Sequence, residues 1–525
     1  MLEAKHKDTL FNLLNISFLF SCGFVFPVSF FFKERVSLGL NQLNIKKLEI
    51  MKKSILTIAL IALVIFVAGA QNLEQKTRIT FKEIGKIKPR KAADVKASYL
   101  SIGCEVLDRD FANYDNYKEY LGNLAVKHAR FQSGWAKTEK QKGVYDFAWL
   151  DKIIDDCRSR GIQPWVNTVY GNPIYKGGGD IQSSSKLPQT EEAKKAWDDY
   201  IRNLITHFRD RVFEWEIWNE INHSGFRSSS PEEYAEFYIR TAEIIRKLQP
   251  EGKIIALALA GSDLKFTKSF FDYLKGKGKI QLIDQVSYHG YPTNPDTGFE
   301  KSDELTDLIH SYNNKILVYQ GETGCPSSLG SSGALSGYPY TELSQAKWDL
   351  RRTLAHIGRG IKFSLFTLSE FNYPGNKLNT KGKLKIDGNL AIIRVKPSYY
   401  GYQNLTSVFD STVVAQYPNN CKIESDSVAS VYAFENKKGE LAIVSYWNSG
   451  KIPNESLSVE KAVLQIPGNA FKWPVLVDLR TGIVYEVPKS AITRQTGRIQ
   501  YQLPVYDSPL LVCSRKFLQE RGLLK

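Results

Sequence analysis

Residues 213–222 read FEWEIWNEIN and set three glutamates, Glu214, Glu216 and Glu220, at even-numbered positions inside a run of large apolar side chains. The apolar run predicts a buried β-strand. A buried carboxylate costs free energy unless it is paired, hydrogen-bonded or protonated. Several of them in one apolar strand indicate chemistry, and strand parity places all three on one face together with Trp218.

Seven further apolar segments flank this strand, and amphipathic helical patterns separate them. The eight predicted strands are YLSIGC (99–104), KHARFQ (127–132), QPWVNTV (163–169), VFEWEIW (212–218), KIIALALA (253–260), DQVSYHG (284–290), KILVYQG (315–321) and IKFSLFT (361–367). Eight strands, each followed by a helix over about 300 residues, predict an α/β fold of the (β/α)8 TIM-barrel type. We assign this barrel to residues 95–410.

The pattern changes after KPSYYGYQNL (396–405), because strand-like segments then follow one another without helices. Residues 411–525 are therefore predicted to form a C-terminal antiparallel β-sandwich domain. The N-terminal segment 71–94 contains TRITFKEIG (77–85), which is predicted to add a strand to that sandwich.

The segment MKKSILTIALIALVIFVAGAQ (51–71) has a basic start, an apolar stretch and an Ala-Gly-Ala cleavage site. These features predict a signal peptide over residues 51–70, and hence a secreted or periplasmic protein. Residues 1–50 are interpreted as upstream sequence read from a misassigned start. A signal-anchor helix in the Phe-rich stretch 11–32 is the alternative. Cleavage after residue 70 would leave no stable membrane anchor.

The charge and the cysteines exclude several function classes. The net charge of +15 comes without a zinc-finger spacing or an RNA-binding motif, so no nucleic acid partner is expected. The cysteines lack any CxxC and the histidines lack HExxH, so neither a disulfide framework nor a metal site is predicted. We expect no cofactor.

The chemical residues follow the ends of three predicted strands. Strand four ends in Asn219–Glu220, strand six runs into SYHGYP with His289 and Tyr291, and strand seven runs into YQGETG with Glu322. In a TIM barrel the active site lies at the carboxyl ends of the strands. Two carboxylates at one rim suit glycoside hydrolysis, in which one acts as acid/base and the other attacks or activates water.

A series of ordered blocks between residues 128 and 405 resembles clan A of the glycoside hydrolases, and within it family 39, which includes β-xylosidases and α-iduronidases. The blocks are HARFQSGW (128–135), YDFAWLDKIIDDCRSRGIQPWV (145–166), FEWEIWNEIN, EEYAEFYIRTAEIIRKLQP (232–250), IDQVSYHGYP (283–292), FSLFTLSEF (363–371) and KPSYYGYQNL. The Asn-Glu pair alone is a weak motif, but its place in this series makes it specific.

The resemblance implies that Glu220 is the acid/base and Glu322 the nucleophile. It also implies that Tyr291 holds the nucleophile and that Arg130 lies near it. These roles agree with electrostatics, since a nucleophile must stay ionised, which a cation and a phenol hydroxyl favour. The acid/base must instead be protonated when the leaving oxygen departs.

The substrate-binding residues are also assigned by the resemblance. Asn219 matches the group that hydrogen-bonds the sugar 2-hydroxyl, and His289 matches a contact to the same sugar. Independently of the resemblance, aromatic rings near strand ends can stack on sugar faces, so Trp135 and Phe366 are candidate platforms. Arg130, Tyr291 and Glu370 are also predicted to line the sugar site. Three positions depart from the family pattern. Ile221 replaces the proline that follows Asn-Glu, Gly321 and Thr323 flank the nucleophile, and Phe366 and Glu370 stand where the family has Trp and Asp on strand eight.

Three functions remain open at this point. The first is a secreted retaining glycosidase that acts on an oligo- or polysaccharide of plant or microbial origin, with exo-β action favoured. The second is an endo-acting β-glycanase with an open groove. The third belongs to another class, a carbohydrate-binding barrel that has lost catalysis.

Overall fold

The computed structural model describes residues 76–525, apart from residues 184, 224–228 and 469–470. These residues belong to one compact unit, Gln75–Lys525. The predicted upstream segment 1–50 and signal peptide 51–70 lie outside the described residues. Within the described part of the chain, no helix combines the length and apolarity that a membrane span requires.

Strand β1 (Glu83–Lys86) precedes a closed barrel of eight parallel strands, each hydrogen-bonded to the next and the last to the first. The barrel strands are β2 (Leu100–Gly103), β3 (His128–Gln132), β4 (Gln163–Thr168), β5 (Glu214–Ile217), β6 (Lys253–Ala260), β7 (Gln285–His289), β8 (Leu317–Thr323) and β9 (Phe363–Leu365). Every predicted strand overlaps one of them, so the predicted TIM barrel is confirmed.

Helices follow each barrel strand and cover the outside of the barrel. They are α1 (Tyr114–Gly122), α2 (Trp135–Thr138), α3 (Ala148–Ser159), α4 (Glu191–Phe208), α5 (Pro231–Leu248), α6 (Leu264–Gly276), α7 (Phe299–Tyr312), α8 (Glu342–Ile357) and α9 (Pro397–Val408). Helix α5 shows why these segments are helical. Ser230 and Glu233 form a capping box at its start, and Pro231 occupies the first turn, where its missing N–H is not needed.

Two β-hairpins interrupt the last βα unit between β9 and α9, which the sequence pattern did not predict. The first pairs β10 (Phe371–Tyr373) with β11 (Lys377–Asn379), and the second pairs β12 (Leu384–Ile386) with β13 (Ile392–Val395). Because they follow the carboxyl end of a barrel strand, they lie on the side of the barrel that carries the candidate site.

The C-terminal region consists of two antiparallel sheets, as predicted. Its strands are β14 (Val413–Gln416), β15 (Lys422–Ser425), β16 (Ala429–Asn436), β17 (Leu441–Asn448), β18 (Glu460–Pro467), β19 (Pro474–Asp478), β20 (Ile483–Glu486), β21 (Ile492–Gln495), β22 (Arg498–Val505) and β23 (Leu510–Ser514). Seven strands form one sheet in the order β1-β20-β19-β23-β17-β16-β14, and four form the other in the order β15-β18-β22-β21. A short helix, α10 (Arg515–Glu520), follows β23.

The two sheets share a core of alternate apolar side chains, among them Val444, Leu464 and Leu476. The opposite face of the seven-stranded sheet contributes residues such as Phe434 and Trp447 to the same core as the barrel helices. The sandwich is therefore packed firmly onto the barrel and gives it a fixed support.

Candidate active site

Three polar side chains converge at the carboxyl ends of β5, β7 and β8. One carboxylate oxygen of Glu220, one of Glu322 and a ring nitrogen of His289 all lie within 4.8 Å of one another. The side chains of Glu220 and Glu322 are 17% and 14% exposed, whereas His289 is fully buried beneath them. The two carboxylates therefore face a cleft over a buried imidazole.

The backbone around Glu220 adopts an uncommon conformation that aims this side chain. Trp218 and Glu220 have φ of 63° and 47°, in the left-handed region that non-glycine residues occupy at a cost of about 1–3 kcal/mol. The Glu220 N–H donates to the carbonyl of Ala258 at 2.8 Å. That carbonyl is available because β6 bulges at Leu257 and Ala258, which also have positive φ. No pattern in the amino-acid sequence predicts this bulge.

Glu322 lies between two strong hydrogen-bond donors. Arg130 Nη1 donates to its Oε2 at 2.6 Å, and the Tyr291 hydroxyl donates to its Oε1 at 2.7 Å. Burial and the neighbouring Glu322 charge hold the pKa of Tyr291 well above its usual range, so the phenol keeps the proton that it donates. Both contacts favour an ionised carboxylate.

Arg130 is a wholly buried hub beneath the cleft. Its Nε and Nη2 donate to Glu216 Oε2 at 2.8 and 2.6 Å, and Ser287 donates to the other oxygen of that carboxylate. Nη2 also donates to Asn219 Oδ1 at 2.9 Å, which leaves the amide N–H2 of Asn219 to contact a substrate. Glu216 is thus a structural partner of Arg130.

His289 bridges the two rim carboxylates. Its Nδ1 lies 3.0 Å from Glu220 Oε1 and 3.7 Å from Glu322 Oε2. Burial alone would lower the pKa of His289, but the negative charge of Glu322 and the hydrogen bond to Glu220 outweigh it and raise the pKa. A proton on Nδ1 would lie within hydrogen-bond distance of Glu220 and near Glu322, so the geometry suits proton exchange between the imidazole and Glu220.

The two predicted aromatic platforms have different outcomes. Phe366 lies one residue beyond β9 at the same rim as Glu322, is 7% exposed and packs edge-on against Phe371, so its role as a platform stays a prediction. Trp135 was predicted wrongly as a platform, because its indole is fully buried and stacks between Tyr175 and Tyr200. No face of this ring is open to a sugar.

Glu370 is a second correction among the predicted binding residues. Its side chain is 2% exposed, lies 2.5 Å from the buried Lys396 ammonium and accepts a hydrogen bond from the Ile386 N–H. These partners belong to α9's N-cap and to β12, so Glu370 fastens the second hairpin to the barrel. It has no free oxygen directed to a sugar.

The structure adds a cluster near the ends of the first three barrel strands that the sequence reasoning missed. Arg109 Nη2 donates to Gln132 Oε1 at 2.6 Å, and its guanidinium lies 4.9 Å from the ring centroid of Tyr170. Gln132 follows Arg130 by two residues on β3 and so shares its face. The alternation of side chains along β3 could have identified Gln132 from the sequence, because it shares a face with Arg130. The approach of Arg109 to Gln132 could not be predicted, because Arg109 follows the end of β2 outside the barrel strands.

Part of the chain is similar to known proteins. Residues 130–308 match the family model described as Glycosyl hydrolases family 39. The beta-xylosidase of Geobacillus stearothermophilus is 25% identical over 164 residues, which are 29% of this chain and 32% of that protein. The match thus spans about a third of the length of that relative.

Solved structures share the fold over most of the chain. A family 39 glycoside hydrolase from the gut symbiont Bacteroides cellulosilyticus WH2 has a TM-score of 0.57 at 18% identity, covering 80% of this chain and 82% of that one. A monomeric beta-xylosidase from Caulobacter crescentus CB15 has a TM-score of 0.55 at 16% identity, covering 82% and 97%. The predicted resemblance to clan A, and to family 39 within it, is confirmed by these matches.

Proposed function

We propose that this protein is a secreted retaining glycoside hydrolase that removes a terminal β-linked sugar, with β-xylosides as the first substrates to test. The observation that carries the mechanism is the proximity of Glu220 and Glu322, since a carboxylate oxygen of one lies within 4.8 Å of a carboxylate oxygen of the other. Retaining glycosidases hold their carboxyl groups about 5–5.5 Å apart, whereas inverting enzymes need about 6.5–9.5 Å to admit a water molecule.

The first step follows from the partners of each carboxylate. Glu322, ionised between Arg130 and Tyr291, attacks the anomeric carbon while Glu220 gives its proton to the leaving oxygen. The glycosidic C–O bond breaks and an ester to Glu322 forms. Asn219, fixed by Arg130, presents its N–H2 group to the sugar 2-hydroxyl.

The second step runs the same groups in reverse. Glu220, now ionised, takes a proton from water as the water oxygen bonds to the anomeric carbon, and the ester to Glu322 breaks. His289 contacts both carboxylates and so stays near the proton in each step. Two inversions at one carbon retain its configuration.

Two features favour exo action on a short sugar chain. The hairpins β10–β11 and β12–β13 follow the carboxyl end of β9, and the long β8–α8 loop bonds to β11 through Ser332 and to the segment between the hairpins through Ser327, so that together they would wall one side of the site. Such walls narrow an open groove to a pocket. Beta-xylosidases stand among the relatives of this chain, which supports the same choice.

The decisive experiment is proton NMR of the first product released from an aryl β-xyloside. We expect the β-anomer to form first and to mutarotate afterwards. A first-formed α-anomer would show that the assigned mechanism is wrong. Glu322→Ala should abolish turnover and the covalent intermediate seen with a 2-fluoro glycoside, while Glu139→Gln, a buried carboxylate outside the cleft, should keep both.

The alternatives are resolved by a wider substrate panel. Cleavage of polysaccharides with no activity on aryl glycosides would favour the endo-acting enzyme. Sugar binding without any hydrolysis would favour the inactive binding barrel. Secretion is tested separately, because a mature N-terminus at Gln71 requires cleavage of the predicted signal peptide, and an N-terminus before residue 51 would refute it.

A further inference from the structure

A third carboxylate contacts Arg130 from the end of the first barrel strand. Glu105 follows β2 by two residues, is 4% exposed, and its Oε1 lies 3.3 Å from Arg130 Nη1. That nitrogen is the one that donates to Glu322 at 2.6 Å. Glu105 reaches this position because Gly103 has no Cβ, which would lie only 2.3 Å from its Oε2.

The local charges do not balance if every carboxyl is ionised. Glu105, Glu216 and Glu322 would place three negative charges around one guanidinium in a buried setting, and each uncompensated buried ion costs several kcal/mol. Glu216 receives two bonds from Arg130 and one from Ser287. Glu105 has the longest contact to Arg130, at 3.3 Å against 2.6 Å for the other two carboxylates. Protonation of Glu105 therefore loses the weakest of the three ion pairs and costs the least free energy.

We propose that Glu105 is a positioning residue that carries a proton in the active enzyme and thereby leaves Arg130 Nη1 to the nucleophile Glu322. When Glu105 loses this proton, its carboxylate attracts the same nitrogen. The bond that holds Glu322 then weakens, and a second negative charge lies beside the reacting carbon. The consequence for catalysis rests on the proposed glycosidase function, whereas the protonation itself does not.

The surroundings of Glu105 make it a group that titrates near neutral pH. Burial raises the pKa of Glu105 to about 7, and the negative charge of Glu322 acts in the same direction, whereas the positive charge of Arg130 acts to lower the pKa. Burial also raises the pKa values of Cys104 and Tyr117 well above their usual ranges, so both stay neutral. Tyr291 and Thr367, which approach from the other strands, likewise add no charge.

His289 contacts Glu322 from the opposite side and is the other group nearby whose pKa is shifted upward. Its ring lies against Glu220 and Glu322, and no contact joins it to Glu105 among the described side chains. A variant of Glu105 alone therefore separates the two titrations.

The kinetic test compares the wild type with Glu105→Gln, which has the same shape and stays neutral at every pH. The substrate is a 2,4-dinitrophenyl glycoside, whose leaving group needs no proton from Glu220. We expect the wild-type kcat/KM to fall through about pH 7, and we expect Glu105→Gln to match the wild type within about threefold at pH 5.5 without that fall. Glu139→Gln, held by Trp135 and Tyr175 away from Arg130, should keep it.

An activity-independent measurement completes the test. Infrared difference spectra of the free protein between pH 6 and 8 should show a protonated carboxyl band in the wild type that Glu105→Gln lacks. An unchanged pH profile in Glu105→Gln, or an identical band in both proteins, would overturn the proposal. If no glycoside is hydrolysed by the wild type, the proposed function fails, and the infrared band still decides the protonation of Glu105.

Discussion

Replacing Arg130 by methionine tests the view that one guanidinium holds the centre of this site together. The methionine keeps much of the volume of the side chain but removes its charge and all of its hydrogen bonds. It leaves Glu216, which is fully buried, and the partly exposed Glu322 without their cation. Removing one partner of a buried ion pair costs about 3–5 kcal/mol, because the remaining charge stays out of water.

The expected shift in melting temperature follows from the size of the unit. With an unfolding entropy of about 2.1 cal/mol/K per residue, about 450 residues give about 0.9 kcal/mol/K, so a loss of 3–5 kcal/mol lowers Tm by about 3–5 °C. Differential scanning calorimetry at pH 7.5 measures this. At about pH 4, protons neutralise part of the uncompensated carboxylates, and the difference from the wild type should shrink.

Two controls sharpen this prediction. Arg202→Met removes a half-exposed cation that pairs with Asp198 and Asp199 on the surface, and it should cost less than about 1 kcal/mol. Adding Glu216→Gln to Arg130→Met should restore part of the lost stability, since it removes one of the stranded charges. A Tm loss below about 1 °C, or a loss that is equal at both pH values, would refute the reasoning.

Three further predictions follow from the same contacts. Glu220→Ala should lower kcat/KM about 10²–10⁴-fold on substrates with poor leaving groups, but it should spare the first step with dinitrophenyl glycosides. Azide should restore turnover and yield the β-glycosyl azide. A failure of azide to restore turnover would contradict an acid/base role. Glu370→Gln should lower Tm by stranding the Lys396 ammonium while leaving KM within about twofold, and an increase in KM without a change in Tm would place Glu370 in the sugar site after all. Because the pKa of His289 is raised in the folded protein, its ion pairs stabilise the fold fully below about pH 6.5, the pKa of an unfolded histidine. This stabilisation is lost as the pH rises through the higher pKa of the folded state. In urea titrations, the difference in unfolding free energy between the wild type and His289→Gln should therefore decrease over that pH range.

The barrel could be predicted because each of its strands is an apolar run too continuous for a surface helix, and a helical pattern follows each run. The site could be predicted because the barrel places strand ends at one rim. Asn219, Glu220, His289 and Glu322 all follow from that rule together with the chemistry of their side chains. None of this required knowledge of distances.

What could not be predicted depends on the loops beyond the strands. The indole of Trp135 follows the end of β3 just as Phe366 follows the end of β9, yet the α2 turn directs it into a stack between Tyr175 and Tyr200. Glu370 was assigned by position, but Lys396 arrives from 26 residues later and takes its carboxylate. The direction of a side chain beyond a strand end is set by such partners, and a single sequence does not show them.

The three glutamates of β5 show how depth in the barrel decides the role of one residue type. Glu214, nearest the floor, lies 3.1 Å from Lys362, and Glu216, one layer higher, is bound by Arg130. Glu220, beyond the strand, lies 3.0 Å from Nδ1 of the His289 imidazole and remains partly exposed. Fixed cations hold the two lower carboxylates in ion pairs. The uppermost carboxylate lies against an imidazole, and in the proposed mechanism this difference is what lets Glu220 give a proton to a substrate and take it back.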